Sequence, residues 1–529
     1  MKKLLSNRLA VLCTLVVASL LPRVAHAQST PDIPIEFDNE SDGEYTNSQI
    51  YVNFLGTSGD NLTGTYEDSS GDTGNLSLYQ SFSLANITPP GGVPTLDIEN
   101  WSSGRIYISY GAPLSNLTSG YQPAAQGYQN PADPNFGIRY QYVEPTVDQP
   151  SGTTNTTEIY MDMTYIDFVG ASLGLQANAN VTEGTDLVQT SANGQTLYNA
   201  VAGGNLGNVL TSGGSGTPNS NYPPFPSPTL PLSNTTNFLR VIGPSQIGQN
   251  TNPNTTPAPY YHDWSNYILT DLQNTSINIA GNFVGTGNQT TANSTTIAQP
   301  YDYVATFSST GNLTMTAQGG SGAGGVGSNV TISANFTSLN AETGIYGNNP
   351  WITIDLNGSL LAENPQNDVF GRIVGDLLAG LNFGDPGSTK VFNGTIDGQA
   401  VNQTVGSMTS TQWFDLVGNS SITGNSTAIA NYVFGGLQPN PLDYNDYAAD
   451  LFPLTTAYAT AYEDRFGQNT VHFTVASNST INEGGAVIVD IQPDQAVPEP
   501  AVAGMVMGLG ALGVLAFRQR RRKSAGDSN

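Results

Sequence analysis

Apolar and polar positions alternate with a period of two in short runs along much of the chain. Gln49-Ile50-Tyr51-Val52-Asn53-Phe54-Leu55 and Arg105-Ile106-Tyr107-Ile108-Ser109-Tyr110 are typical, each bounded by Gly, Pro or Asn. β-Branched and aromatic residues between turn formers predict strands. Helical periodicity appears only over residues 196–210, 264–272, 370–381 and 447–462. The first part, to about Leu175, therefore reads as all-β and the remainder as mixed. Residues 212–234, 286–296 and 319–327 are dominated by Gly, Ser, Thr, Asn and Pro; such segments build no core and are read as surface loops.

The two ends break this pattern. Lys2, Lys3 and Arg8 precede an apolar run at 9–21, and Ala25-His26-Ala27 supplies a small-x-small cleavage site, so residues 1–27 read as a secretory signal peptide removed by signal peptidase. A second apolar run, 501–517, lies between Pro498-Glu499-Pro500 and the basic cluster Arg518, Arg520, Arg521, Arg522, Lys523. In that order these three parts resemble a PEP-CTERM sorting signal, here residues 496–529. The resemblance implies recognition and removal by an exosortase. Until then 501–517 is barely long enough to span the inner membrane, and the basic cluster stays on the cytoplasmic side. An ordinary terminal membrane anchor is the alternative reading of this segment, so the expected location is the cell envelope or the exterior, with a transient or permanent C-terminal anchor in the inner membrane.

Charge and cysteine usage narrow the chemistry. Of 15 Lys and Arg, four lie in the leader and five in the tail, leaving six; of 41 Asp and Glu, two lie in the tail, leaving 39. The exported region, 28–495, thus carries a net charge of −33, which repels nucleic acid and anionic membranes and favours a neutral substrate or a cationic partner. Its stability rests on a large core, because Cys13 is in the leader and no disulfide or thiol chemistry is available. His26, His262 and His472 are scattered, and no metal constellation or phosphate loop is present, which argues against a serine triad, a zinc site or any cofactor. What remains is carboxylates flanked by aromatic residues, the chemistry of glycoside cleavage.

The most suggestive stretch runs from Phe136 through Arg139-Tyr140-Gln141-Tyr142-Val143-Glu144 to Glu158-Ile159-Tyr160-Met161-Asp162-Met163-Thr164-Tyr165-Ile166-Asp167-Phe168. On strands, Tyr140, Tyr142 and Glu144 share a face, as do Tyr165 and Asp167. Two neighbouring strands would then point Glu144 and Asp167 into one aromatic-walled groove.

At this point the order of blocks resembles glycoside hydrolase family 64, the β-1,3-glucanases with a thaumatin-like β lobe. The blocks are Asn-Ser-Gln-Ile-Tyr-Val (47–52), Ser-Gly-Arg-Ile-Tyr (103–107), the Tyr-Val-Glu block, Tyr-Ile-Asp-Phe-Val-Gly (165–170), Arg-Val-Ile-Gly-Pro (240–244), Ile-Tyr-Gly (345–347) and Ala-Tyr-Ala-Thr-Ala-Tyr-Glu-Asp (457–464). The resemblance implies a thaumatin-like sandwich or barrel lobe (28–175) and a mixed α/β lobe with returning strands (176–495), with an open groove between them. It places the general acid on Glu144 and the general base on Asp167. In an inverting enzyme such a pair stands about 6.5–9.5 Å apart, leaving room for water. Thr146 and Thr164 match positions near the cleaved bond, and Glu463 and Asp464 match an acidic pair across the groove. Tyr142, Tyr165 and Asp162 complete the expected sugar contacts. The chain departs from the family at Asp162 (usually Asn), Asn348 (usually Cys), Glu463-Asp464 (usually Asp-Asp) and the added residues 150–157.

Blander roles compete at each position. Glu144 also reads as a strand-edge acid, and Asp167 as a turn or ladder carboxylate. Arg105, Arg139 and Arg240 read as buried ion-pair partners holding the lobes together rather than sugar ligands, and the tyrosines as part core, part sugar platform. The leading functional reading is an exported β-1,3-glucan hydrolase in which Glu144, kept protonated by its surroundings, donates to the leaving oxygen while Asp167 activates water. The alternatives are a non-catalytic glucan-binding protein on the same scaffold and a structural biofilm protein.

Overall fold

The computed structural model describes residues 32–41, 43–56, 60–102, 104–119, 121, 133–148, 156–177, 187–188, 190–203, 208–210, 240–243, 267–285, 297–318, 330–335, 352–356, 359–363, 369–396, 398–418, 432–437, 444–460, 470–476 and 487–494. Up to residue 188 these form strands β1 (Ile33–Asn39), β2 (Ile50–Leu55), β3 (Thr63–Glu67), β4 (Thr73–Asn75), β5 (Ser81–Ser83), β6 (Thr95–Asn100), β7 (Arg105–Tyr110), β8 (Arg139–Asp148), β9 (Thr156–Met163), β10 (Phe168–Val169), β11 (Leu173–Ala177) and β12 (Leu187–Val188). Then come β13 (Asn208–Leu210), β14 (Arg240–Ile242), a meander β15 (Ile277–Gly285), β16 (Ile297–Phe307), β17 (Asn312–Ala317), β18 (Val330–Asn335), β19 (Ile352–Leu356) and β20 (Ser359–Glu363), and the hairpin β21 (Val391–Ile396) and β22 (Gln399–Thr404). The last two strands are β23 (Thr470–Ala476) and β24 (Val487–Ile491).

Two sheets share the principal core. One is seven-stranded, β12-β11-β24-β1-β6-β3-β4; the other is six-stranded, β23-β9-β8-β7-β2-β5. The strict alternation of the sequence decides which faces meet. Ile33, Ile35, Phe37, Leu96, Ile98, Val487, Val489 and Ile491 of the first sheet are buried with Val52, Phe54, Ile106, Ile108, Val143, Val147, Ile159, Met161 and Phe473 of the second. Each fully buried side chain of this size contributes about 1.5–3 kcal/mol. Trp101 fastens the sheets together: its backbone exchanges 2.7 Å hydrogen bonds with Val147, and its ring lies 5.9 Å from that of Phe54. β24 runs parallel to β1 and antiparallel to β11, so the last strand described fills the centre of the first sheet. Just beyond it, Asp494 receives Arg139 Nη1 at 2.5 Å, a buried ion pair joining the end of one sheet to the start of β8 in the other.

The meander forms a separate six-stranded antiparallel sheet in sequence order. Helices α1 (Gly194–Gly203), α2 (Val369–Phe383), α3 (Ser410–Gly418) and α4 (Asp446–Leu451) complete the described elements. α2 buries Phe370, Ile373, Val374, Leu377, Leu378 and Leu381, three or four residues apart, and it contacts β15 and α3. The protein is therefore mostly β, with several sheets and few helices.

Some expected helices are shorter or replaced. The pattern at 196–210 gives α1 but stops at Gly203, and 208–210 form a strand paired with β14. The pattern at 264–272 gives only the single wide turn Tyr267–Asp271, and that at 447–462 gives the six-residue α4 followed by turns. α3 was not anticipated, because its Ser-Thr-Gln start carries little apolar periodicity. Among the described residues no helix is long and apolar enough to cross a membrane; the expected membrane segment, 501–517, lies outside them.

Candidate active site

The six-stranded sheet has one apolar face, turned to the core, and one polar face. Register fixes the second: Glu144 lies opposite Asp162, Thr146 opposite Tyr160 and Asp148 opposite Glu158, while Thr470 and His472 of β23 continue the rows beside Asp162 and Tyr160. On the other side β7 places Tyr107 opposite Tyr142. Arg105, two residues before Tyr107 at the start of β7, lies beside Glu144.

Glu144 is partly exposed, its side chain 32% accessible, and its Oε1 accepts from Arg105 Nε at 2.8 Å. Its immediate surroundings are therefore the Arg105 guanidinium on one side and solvent on the other. The Arg105 guanidinium also lies over the Tyr142 ring, 4.7 Å from its centroid. Burial alone would make Arg105 give up its proton more readily, but Tyr142, Glu144, Tyr107 and Asp167 pull the other way and hold it above the ordinary arginine range.

Asp167 is not on a strand. β9 ends at Met163, and Thr164 makes a parallel bridge to Tyr458 that turns the chain away from β8. Asp167 then sits at a bend before the two-residue β10. Gln141 secures this loop at both ends, donating to the Thr164 carbonyl at 2.8 Å and accepting from the Gly170 amide at 2.9 Å. Phe168, next to Asp167, is buried edge-on against Tyr140 (5.4 Å) and Tyr142 (5.7 Å). The backbone needs glycines here: a Cβ on Gly243 would lie 2.1 Å from the Ile166 carbonyl oxygen, and one on Gly170 would lie 2.0 Å from that of Tyr140. Thus anchored, Asp167 accepts at Oδ2 a 2.8 Å hydrogen bond from the Tyr142 hydroxyl. Tyr142 stands between the two carboxylates, its hydroxyl on Asp167 and its ring under the arginine that holds Glu144.

The other expected contacts divide. Asp162 is half-buried opposite Glu144 and accepts from the Thr470 hydroxyl. Thr146 is half-buried on the same face. Thr164 is buried, its hydroxyl accepting from the Ile166 amide at 3.1 Å, so it shapes the loop. Tyr142 and Tyr165 do not present faces to a sugar: their rings are buried, and the Tyr165 hydroxyl faces Thr190 and the Leu173 amide. Bulky rings where the loop folds onto β8 are needed as core. Glu463 and Asp464 lie outside the described residues. The three arginines act within the β region: Arg105 holds Glu144, Arg139 holds Asp494, and Arg240 donates to the carbonyl oxygens of Phe136 and Ile138.

Sequence reasoning passed over Tyr160 as a contact. It is the exposed aromatic ring of this face, 39% accessible, and His472 stacks on it at 4.0 Å with the rings 6° apart. The Tyr160 hydroxyl and His472 Nε2 both reach Glu158 Oε1 at 2.7 Å. The outward phase of β9 was the available signal. Among the described residues, the acids close enough to share a cation are Asp38, Glu40 and Asp490, at the end of β1 and on β24 in the seven-stranded sheet.

Glu144, Asp162, Asp148 and Glu158 thus form a half-buried row of acids beside the exposed Tyr160 ring, and the family match defines the class as glycoside hydrolase. Residues 31–323 match the family Glyco_hydro_64, β-1,3-glucanase, and residues 496–522 match the PEP-CTERM protein-sorting motif. The first match covers more than half of the chain, which belongs to the family 64 β-1,3-glucanases. Similar solved structures include a laminaripentaose-producing β-1,3-glucanase in complex with laminaritetraose, 18% identical over 88% of this chain and 99% of that one, with a TM-score of 0.44. A family 64 β-1,3-glucanase domain from Clostridium beijerinckii is 13% identical over 87% of this chain and 98% of that one, TM-score 0.38. A laminaripentaose-producing enzyme from Paenibacillus barengoltzii with laminarihexaose is 13% identical over 90% and 77%, TM-score 0.38. No curated protein matches.

Proposed function

We propose that the chain is an exported hydrolase that cleaves β-1,3-glucan by inversion, with Glu144 as general acid and Asp167 as general base. The observation that carries this reading is the arrangement around Tyr142, whose hydroxyl meets Asp167 and whose ring lies under the arginine paired with Glu144. In the proposed step Asp167 takes a proton from water, the water oxygen attacks the anomeric carbon, the glycosidic bond breaks, and Glu144 gives its proton to the leaving oxygen. Asp162 and Thr146 flank the acid, and the exposed Tyr160 ring offers an apolar face against which a sugar stacks.

In this reading residues 28–495 are the catalytic unit, the thaumatin-like lobe being 28–175 and the mixed part 176–495, with the glucan lying in a groove between them. Thr164 then serves the site through its loop, and Glu463-Asp464 face the glucan from the far side. The sorting motif at 496–522 supports export, with exosortase processing releasing the protein from a transient inner-membrane anchor.

The test is incubation of the purified exported protein with laminarin, following reducing ends and the anomeric configuration of the product by proton NMR. Release by the wild type with an α-anomeric first product, abolished in Glu144→Gln and in Asp167→Asn, is the expected result. Binding without release by the wild type would instead identify a glucan-binding protein, and a first product of β configuration would refute inversion.

A further inference from the structure

We infer that Arg105 and Tyr142 act as one positioning unit, Arg105 holding the proton donor Glu144 and Tyr142 holding the base Asp167, so that the two carboxylates are oriented together. The inference rests on the assignment of those carboxylates above. Neither Arg105 nor Tyr142 touches the reacting atoms in this arrangement.

Three observations support it. Arg105 makes two contacts with one guanidinium: the 2.8 Å bond from Nε to Glu144 Oε1 and the stacking on Tyr142 at 4.7 Å. Because guanidinium is planar and delocalised, turning it to follow a displaced Glu144 would lift it off the ring, so the contacts are mechanically linked. Tyr142 is in turn fixed on both sides, its ring 5.1 Å from that of Tyr107 and 5.7 Å from that of Phe168. With the ring held there, its hydroxyl oxygen stands 2.8 Å from Asp167 Oδ2 and donates to it. Finally, the Tyr142 phenol is a permanent donor: burial first, and then the neighbouring Asp167 charge, push its ionisation well above the ordinary tyrosine range.

The chemistry gives each contact a purpose. When Glu144 releases its proton to the leaving oxygen, negative charge develops on its carboxylate, and Arg105 already stands where that charge appears. When Asp167 takes a proton from water, the plane of its carboxylate decides whether the acceptor oxygen points at the water, and the bond from Tyr142 to Oδ2 sets that plane. An enzyme of this kind is sensitive to small errors of placement: about 1 Å costs up to roughly 100-fold in rate.

The test is a double-mutant cycle on the purified exported protein with laminarin, using Tyr142→Phe, which removes only the hydroxyl, and Arg105→Gln, which removes the charge. Arg105→Lys serves as the conservative variant that retains charge without the planar fork. Each single variant should lower kcat about 10–100-fold with KM within about twofold, and Arg105→Lys should recover only part of the loss. The double variant should lose markedly less than the product of the single losses, because the unit is already broken. Unchanged kcat in Tyr142→Phe, an effect confined to KM or to the melting temperature, or multiplicative losses in the cycle would each overturn the inference. Glu144→Gln and Asp167→Asn, run alongside, separate the two levels. If these retain activity, the acid and base assignment itself fails; if they are inactive while Tyr142→Phe and Arg105→Gln keep the wild-type kcat, only the positioning unit fails.

Discussion

Gly170→Ala is the smallest change that should separate placement of the proposed base, Asp167, from its chemistry. The added Cβ would lie 2.0 Å from the Tyr140 carbonyl oxygen and 3.0 Å from its carbonyl carbon, while non-bonded atoms of this kind do not approach within 3.0 Å. One side must therefore move by about 1 Å. The Tyr140 carbonyl cannot readily yield, because Tyr140 is paired in register with Ser109 of β7 at the heart of the sheet. The loop has to yield, and it does so at its anchor, where the Gly170 amide bonds to Gln141 at 2.9 Å, three residues from Asp167. Overpacking of this size costs about 1–3 kcal/mol, and a carboxylate displaced by about 1 Å loses up to roughly 100-fold in rate. The assays are thermal unfolding followed by circular dichroism and laminarin hydrolysis under saturating substrate. Both melting temperature and kcat should fall, with KM nearly unchanged because the exposed sheet face is untouched. Wild-type kcat and stability in Gly170→Ala would mean that the loop does not press on β8 as described.

Three further outcomes are expected. Asp385 has both carboxylate oxygens buried without a hydrogen-bond partner, and burial holds its proton well above the ordinary range; its folded-state pKa thus exceeds its unfolded one. That contribution to stability is fully present in acid and lost as pH rises from about 4 towards the raised folded value, so Asp385→Asn should flatten the fall in melting temperature between pH 5 and pH 8, and an unchanged slope would count against it. Asp494→Asn removes the partner of buried Arg139, whose side chain is 5% accessible, and should cost about 3–5 kcal/mol in denaturant unfolding; a loss under about 1 kcal/mol would show that Arg139 finds another partner. Tyr160→Ala should weaken laminarin affinity in calorimetry about tenfold, whereas unchanged affinity would place the glucan elsewhere on the sheet.

How far the site could be read from sequence depended on whether its parts are set by period or by tertiary contact. The two-residue period of β8 correctly put Tyr140, Tyr142 and Glu144 on one side. The same rule failed at Asp167, because nothing local in Thr164-Tyr165-Ile166-Asp167 announces that the strand ends at Met163; the turn is imposed by Tyr458 and Gln141, distant in sequence. Tyr165 shows the same limit, since only the fold reveals that its ring is enclosed and its carbonyl receives the Tyr447 hydroxyl at 2.5 Å. The helix ending at Gly203 and the single turn at Tyr267–Asp271 fell short because apolar spacing alone does not distinguish a helix from a buried turn followed by a strand. Tyr160 was legible in its phase on β9, but its importance depends on exposure, which the sequence does not state.

The distribution of positive charge ties these elements together. Residues 28–495 carry a net charge of −33 with six cations and so repel one another over much of the surface, and where the chain places those cations is informative. Three of the six surround β8: Arg240 binds the carbonyls of Phe136 and Ile138 just before it, Arg139 begins it and reaches Asp494, and Arg105 pairs with Glu144 towards its middle. All three guanidiniums also lie against tyrosine rings of this neighbourhood: Arg240 on Tyr140 at 4.3 Å, Arg139 on Tyr110 at 4.2 Å and Arg105 on Tyr142 at 4.7 Å. Surface ion pairs of an acidic protein gain little from such care, since water and salt screen them. Buried or half-buried arginines stacked on rings gain more, because desolvation strengthens both contacts. A strand anchored in this way from its approach to Glu144 is what the proposed two-carboxylate mechanism would require, since its rate would depend on fixed separation more than on affinity.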